Sequence, residues 1–562
     1  MRHRVLLLLL PFLLLLATGA LLGGYFETND DLTIVALLRG TTAADPVTNL
    51  HLYFHGYAAL WSRLYAAAPR GSWYGLTLYG LLYAATVLAA AVLWRVVRPR
   101  AGTGAALALL GLFWLVGWLE HGFWFNYVRV PLLLAGAGVL FAAQRAPARW
   151  ALAVGLLAFG LSWLIRPSAA VLGAAVALPG AWWLAGRRAG PVVAGAAAWA
   201  VLGALGLQLT RSPAAASFRR LDVLKSNLND FRLAAPPTTP LRPADSLALA
   251  AAQAWQLADS ALVNEAALAR VAPFRPGYFL GHTAPAKLGA LARQLPRDYF
   301  PLLLLLAATG ALVLRAGRGH RVFWLVQAAY AGLGLGLGVL LKLPPRLALP
   351  LFDFWAFSNL VYLWQLRPLP RHSLAVLLLA LLAAAGPYAY KTRHRSQLLA
   401  REQARNRQQR RQLSRLASGA RVVVSDALEE TYKSAAPFSE GAGGAACAGR
   451  PGLVWLSVRG WQTLHPSQAV LRQRLTGTRD FTAALRRLGQ RPDVAWLLTP
   501  EGAVLLNRQL ALGRLPDEPM ARLEHLNRPK QLAPGFDGVL KGVQAYQMRI
   551  KFPQSTEKDK IM

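Results

Sequence analysis

The sequence predicts a mainly α chain: a polytopic membrane helical bundle of about eleven spans, with a small C-terminal α/β soluble domain. Three observations lead there. Apolar runs recur through residues 1–390, each near the roughly 20 residues that a helix needs to cross a bilayer. The chain is 55% hydrophobic and 15% charged, with a mean hydropathy of +0.34, whereas soluble domains carry about a quarter charged residues. Beyond residue 420 the pattern changes to short strand-like runs separated by helical stretches.

The first element is an apolar run from Val5 to Leu22 behind Arg2-His3-Arg4. At 18 residues it is long for the core of a signal peptide. It reads as an uncleaved first span, with Ala17-Thr18-Gly19-Ala20 a weak cleavage sequence. Further apolar segments fall near 73–94, 102–119, 128–143, 150–165, 169–186, 191–209, 299–315, 322–341, 347–366 and 373–390. Those at 128–143 and 150–165 are marginal in length for spanning. With the N-terminus in the cytosol, the inner loops collect twice as many basic residues as the short outer loops, as the positive-inside rule requires. The run from Lys391 to Arg415, almost free of acid, falls outside by parity although its charge favours the inside. Long tails translocate largely regardless of charge. The expected location is thus the cytoplasmic membrane of a bacterium, with the C-terminal domain outside.

Two soluble parts follow. Residues 211–297 form a long outer loop of helical composition broken by Pro236, Pro237, Pro240 and Pro243. Residues 391–420 read as a basic linker helix. In the region 421–562, Val422–Val424, Leu453–Val458 and Val494–Leu498 read as strands, and Ala427–Lys433 and Ser467–Leu488 as helices. The tail beyond about 525 reads as irregular.

The net charge of +35, from 61 Lys+Arg against 26 Asp+Glu, is one mark of nucleic-acid binding. Here the arginines punctuate apolar runs, as loop arginines of membrane proteins do, so no nucleic-acid partner is expected. The single cysteine, Cys447, excludes an intramolecular disulfide and a CxxC metal site. No Walker A or GxGxxG sequence occurs, so no nucleotide site is expected.

The outer loop at 24–72 carries the most chemistry. It opens Tyr25-Phe26-Glu27-Thr28-Asn29-Asp30-Asp31. Adjacent carboxylates at a membrane mouth serve as a general base on an acceptor hydroxyl, as oxygen ligands for a divalent cation, or as the Asn-Asp cap of an amphipathic helix over residues 32–39. Catalysis and capping are compatible, since a cap needs one carboxylate. No cofactor is required by these residues, and a divalent metal cation is the one optional addition.

One span, then an outer loop with an acidic pair and an interfacial helix, then many spans and a soluble outer domain, resembles the GT-C superfamily. These are integral membrane glycosyltransferases that use polyprenyl-phosphate-linked sugars. The resemblance covers the chain in architecture and residues 25–60 in motif. It implies that Asp30 is the catalytic base, with Asp31 its neighbour. It also implies a polyprenyl-phosphate sugar lipid as donor and a glycan, lipid or protein as acceptor.

Other candidates are substrate-binding. His51 and His55 sit four apart, which on a helix places both on one face. There they would contact a sugar with Tyr53 and Tyr57, join a metal with an aspartate, or form an interfacial aromatic helix. Lys342 and Arg346 flank a Pro-Pro turn on the side of Asp30 and suit a lipid phosphate, or anchor the interface. Arg166 and Arg129 interrupt apolar stretches, where ionisable groups face a cavity or a partner, or mark short outer turns. Glu120-His121 lies at another outer edge, and Asp426, Glu429 and Glu430 follow the first predicted strand. A multi-span transporter or lipid flippase, or a non-catalytic envelope assembly protein, would share the membrane architecture. A transporter predicts inverted repeats and charges near the midplane, and the sequence has neither.

Overall fold

The computed structural model describes residues 2–317, 319–366, 371–438, 452–512, 520–525 and 543–551. Cys447 lies outside them. Among the described residues, seven helical stretches are long and apolar enough to cross a membrane: Val5–Leu22, Trp73–Phe123, Pro167–Leu209, Pro276–Arg315, Arg321–Leu340, Pro345–Gln365 and Ala375–Leu416. Two of them contain a pair of the expected segments each. Trp73–Phe123 breaks at Gly102, just after Pro99, where φ is +82°. Pro167–Leu209 breaks at Gly186 (φ +55°), where a 3-10 turn, Gly186–Ala189, follows. Both positions need a residue without a Cβ.

The two marginal segments form the shorter helices Arg129–Gln144 and Arg149–Ile165. Arg129–Gln144 is buried along nearly its whole length. Small residues let its neighbours approach closely: a Cβ on Gly136 would strike Phe354, and one on Gly173 would strike the Leu132 backbone. This is the close packing that membrane helices use in place of a hydrophobic driving force. In contrast, Leu9, Leu13, Leu16, Leu202, Leu205 and Leu325 are exposed, which suits apolar surroundings.

The last long helix runs straight through the expected division at residue 390. Arg371–Leu416 is one helix of 46 residues, so the apolar segment and the basic linker are a single rod. Its basic half is fastened rather than free. Arg395 Nη1 donates to Glu120 Oε1 at 2.8 Å, Ser396 Oγ to Leu22 O at 2.6 Å, and Gln403 Nε2 to Ser434 O at 3.1 Å.

Residues 211–297 are also more ordered than a broken loop. Helices Pro213–Asn229, Pro243–Gln253 and Glu265–Val271 pack Leu247, Ala251, Leu268 and Val271 against Leu505 of the C-terminal domain. Ser212 and Asn264 cap two of them, accepting from Ala215 N at 3.2 Å and Ala267 N at 2.9 Å.

Short strands β1 (Tyr25–Phe26) and β2 (Trp124–Phe125) pair in parallel at one end of the bundle. The C-terminal domain holds β3 (Val422–Ser425), β4 (Val454–Ser457), β5 (Val494–Leu498), β6 (Met520–His525) and β7 (Gln544–Lys551) in the order β4-β3-β5-β7-β6. β3 is parallel to β4 and β5, and β7 is antiparallel to β5 and β6. The first three strands lie where the sequence places them. The expected helix at 427–433 is a 3-10 turn, Glu429–Tyr432, and that at 467–488 is two helices, Pro466–Thr476 and Phe481–Gly489. The irregular tail is corrected in part, because β7 lies within it.

Candidate active site

The C-terminal domain sits on the loop 24–72, so both occupy the same end of the bundle. Phe26 N donates to Ala435 O at 2.8 Å, His465 Nε2 lies 3.2 Å from Asn49 O, and Arg474 pairs with Asp45. Between them lies the acidic pair. The chain leaves its first helix, forms β1, and is held by Glu27 N donating to Phe125 O at 2.7 Å. The helix Asp30–Leu38 then begins, with Asn29 at its N-cap but making no side-chain cap bond. Its residues 33–38 are all buried, so it is a core helix rather than the amphipathic surface helix expected.

The two aspartates differ. Asp30 is half-buried; its Oδ1 accepts from Trp461 Nε1 at 3.0 Å and its Oδ2 from Thr28 Oγ at 3.1 Å. Asp31 is fully enclosed. Its Oδ1 accepts from the Tyr74 hydroxyl at 2.8 Å, and Oδ2 makes no hydrogen bond. Burial pushes the Asp31 carboxyl well above the usual carboxylate range, against the Tyr74 bond. The two carboxylates therefore turn to different partners. Asp30 is the one that keeps some exposed surface.

Cations converge on the same end. Arg129 is not a turn residue: it opens a helix, is 1% exposed, and pairs through Nη2 with Glu27 Oε2 at 2.9 Å. Arg346 Nη1 reaches the other oxygen of Glu27 at 3.4 Å and stays 26% exposed, leaving donors of its fork open. Arg166 Nη1 donates to the Tyr127 hydroxyl at 2.8 Å. Burial pushes that hydroxyl up to about 12, with the charges of Arg166, Asp30, Asp31 and Arg346 as smaller influences.

No protein-family model, curated protein or solved structure matches the chain. The site is therefore read from its geometry alone.

Behind Glu27 the polar chain continues inward. Arg129 Nη1 donates to His121 Nδ1 at 3.3 Å, and His121 Nε2 contacts Asp353 Oδ2 at 2.8 Å. Since guanidinium only donates, Nδ1 accepts, and the imidazole carries its proton on Nε2 toward Asp353. Glu120 joins from the side, its Oε1 accepting from Tyr388 and Arg395 at 2.9 and 2.8 Å. Sequence reasoning missed Asp353, although it is the only acidic or basic residue after Arg346 in the helix Pro345–Gln365. That isolation was the available signal.

Other candidates fall apart from this group. Lys342 is exposed, whereas Arg346 holds the ion pair with Glu27. His51 and His55 are not on a helix: the helix starts at Tyr57 and His51 has φ +62°. His51 stacks on His465 with centroids 5.3 Å apart, and His55 tilts against Trp163 at 5.8 Å. Burial lowers both imidazoles, His55 to about 4. No cluster of three or more His, Cys, Asp or Glu suited to a metal occurs among the described residues. Tyr53, Tyr127 and Trp461 form the aromatic wall near Asp30, with centroids 5.6 and 5.8 Å from Tyr53.

Proposed function

We propose that the chain is a membrane glycosyltransferase that moves a sugar from a polyprenyl-phosphate-linked donor to an acceptor at the outer face of the cytoplasmic membrane. Eleven spans belong to this reading: each of the two broken stretches counts twice and the two short helices also cross. The N-terminus is then cytosolic and the C-terminal domain extracytoplasmic.

One observation supports it: a partly exposed carboxylate, Asp30, bonded to Trp461 of an aromatic wall, lies three residues from Glu27, which holds the half-open guanidinium of Arg346. The chemistry is direct displacement. Asp30 takes the acceptor's hydroxyl proton. The acceptor oxygen bonds to the anomeric carbon as the bond from that carbon to the phosphate oxygen breaks. The leaving polyprenyl phosphate keeps the electron pair, and Arg346, with Lys342 farther out, balances its charge. Glu27 positions Arg346 through their ion pair. The driving force lies in the donor bond, so no ATP is needed.

The test uses the full chain in nanodiscs with radiolabelled undecaprenyl-phosphate sugars and measures sugar release. Asp30→Asn is expected to cut release at least 100-fold and Arg346→Ala about 10-fold or more. Release that is undetectable in the unmodified protein, or unchanged in Asp30→Asn, defeats the reading.

A further inference from the structure

The C-terminal sheet has a break in its strand order. From β3 the chain passes to β4 on one side and returns to β5 on the other, all three parallel. Open parallel sheets bind ligands in the crevice beyond the carboxyl ends of their strands at such a reversal. A cavity of about 680 Å³ lies at that place, lined by Asp426 after β3, Arg459 after β4, Thr499 and Glu501 after β5, Arg508, and Gln256 from the helical insert.

The floor of the cavity is built. Asp426 is 1% exposed; Thr499 donates to it from its backbone N at 2.8 Å and from its hydroxyl at 2.5 Å. A Cβ on Gly502 would run into Asp426 Oδ2, so the glycine lets the carboxylate lie across the start of helix Pro500–Leu512. The walls hold polar groups with bonding capacity to spare. Gln256 is 3% exposed, its Nε2 faces Gly502 O at 3.4 Å, and its Oε1 is buried without a partner. Arg459 reaches Glu430 only at 3.7 Å. Glu501 and Arg508 are exposed at the mouth.

We propose that this cavity binds a hydroxyl-rich ligand of the glycan class. Hydroxyls both donate and accept. They satisfy the Gln256 carbonyl and Glu501 as donors, and the two arginines as acceptors. A phosphate or carboxylate offers no hydrogen to Gln256 Oε1 and meets Glu501 as a like charge. A short stretch of chain links the cavity wall to the acidic pair. Arg459, in the cavity wall, is two residues from Trp461, which donates to Asp30, and Gly460 N between them donates to Trp255 O at 2.9 Å. Use of this ligand as the acceptor rests on the transferase reading; binding does not.

The experiment is an array of bacterial envelope glycans probed with the labelled full-length protein in nanodiscs, beside Arg459→Ala and Gln256→Leu. At least one glycan is expected to bind, with the half-exposed Arg459→Ala weakening it about 10-fold at an unchanged melting midpoint. No glycan bound, or binding that both variants retain, overturns the proposal. Inorganic phosphate binding in place of glycan, lost in Arg459→Ala, makes the cavity an anion site and also overturns it. Sugar release from the lipid donor, compared between the unmodified protein and Asp30→Asn, reports separately on the transferase reading. Glycan binding without release defeats only the transferase reading, and release without glycan binding defeats only this one.

Discussion

Trp461 donates its indole N–H to Oδ1 of Asp30 at 3.0 Å, across 431 residues of sequence. The first outer loop and the last domain thus share a hydrogen bond at the carboxylate on which the proposed chemistry turns. Trp461→Phe keeps the ring against Tyr53 but removes the donor. A hydrogen bond to a charged group contributes about 1.5–3 kcal/mol. We expect faster proteolysis between the bundle and the domain in Trp461→Phe. An unchanged cleavage rate and melting midpoint would show that the contact contributes nothing to docking.

Asp31 behaves oppositely to Asp30 under substitution. Its carboxyl is held protonated by burial above the range where the unfolded chain ionises, from 3.8 upward. The unfolded chain then binds fewer protons, so this group costs stability as pH rises from about 4. Asp31→Asn removes the cost and keeps a partner for Tyr74. Its melting midpoint is expected to exceed the unmodified protein's by a margin that grows from pH 5 to pH 8. Asp31→Ala, which strands the Tyr74 hydroxyl, is expected to melt lower at both. A margin that shrinks with pH would refute the protonated state.

The histidines give the reverse sign. His465 and His55 are held down by burial to about 4, against an ordinary value of 6.5. Between these limits the unfolded chain binds more protons. Stability is full above about pH 6.5 and is lost as pH falls toward 4. Hydrogen exchange at residues 49–55 and 465–467 should therefore quicken in that window. His465→Gln should flatten the dependence; an equally steep curve in that variant would place the cause elsewhere.

Arg129 and Arg346 share Glu27 but sit in different surroundings. Arg129 is 1% exposed, so its removal leaves a buried carboxylate without its nearest charge, at a cost of about 3–5 kcal/mol. Arg346 is 26% exposed and its loss should cost under about 1 kcal/mol. Arg129→Gln should therefore lower the melting midpoint well below Arg346→Gln, and Glu27→Gln should recover part of the loss. Equal midpoints for the two arginine variants would contradict the burial difference.

The apolar segments and the first three strands of the C-terminal sheet were legible because their periodicity and turn residues act locally. The strand at Gln544–Lys551 was not, because its polar alternation reads as a strand only once β5 and β6 flank it. Asp30 stood out by position. The partners of the acidic pair did not: Trp461, Tyr127 and Tyr74 are ordinary aromatics until the chain folds them onto one carboxylate or the other. His51 and His55 misled for a related reason. Their spacing suits a helix, but Gly56, at φ +81°, delays that helix until Tyr57.

The unbroken helix Arg371–Leu416 makes the soluble domain a load on a mast. At a 1.5 Å rise its 46 residues extend about 69 Å. Its bonds to Leu22, Glu120 and Ser434 brace it on both the bundle and the domain, so it couples the two rather than swinging free. Trp461 rides on that domain and Asp30 on the loop beneath it, so any shift of the domain against the bundle is felt first at their hydrogen bond.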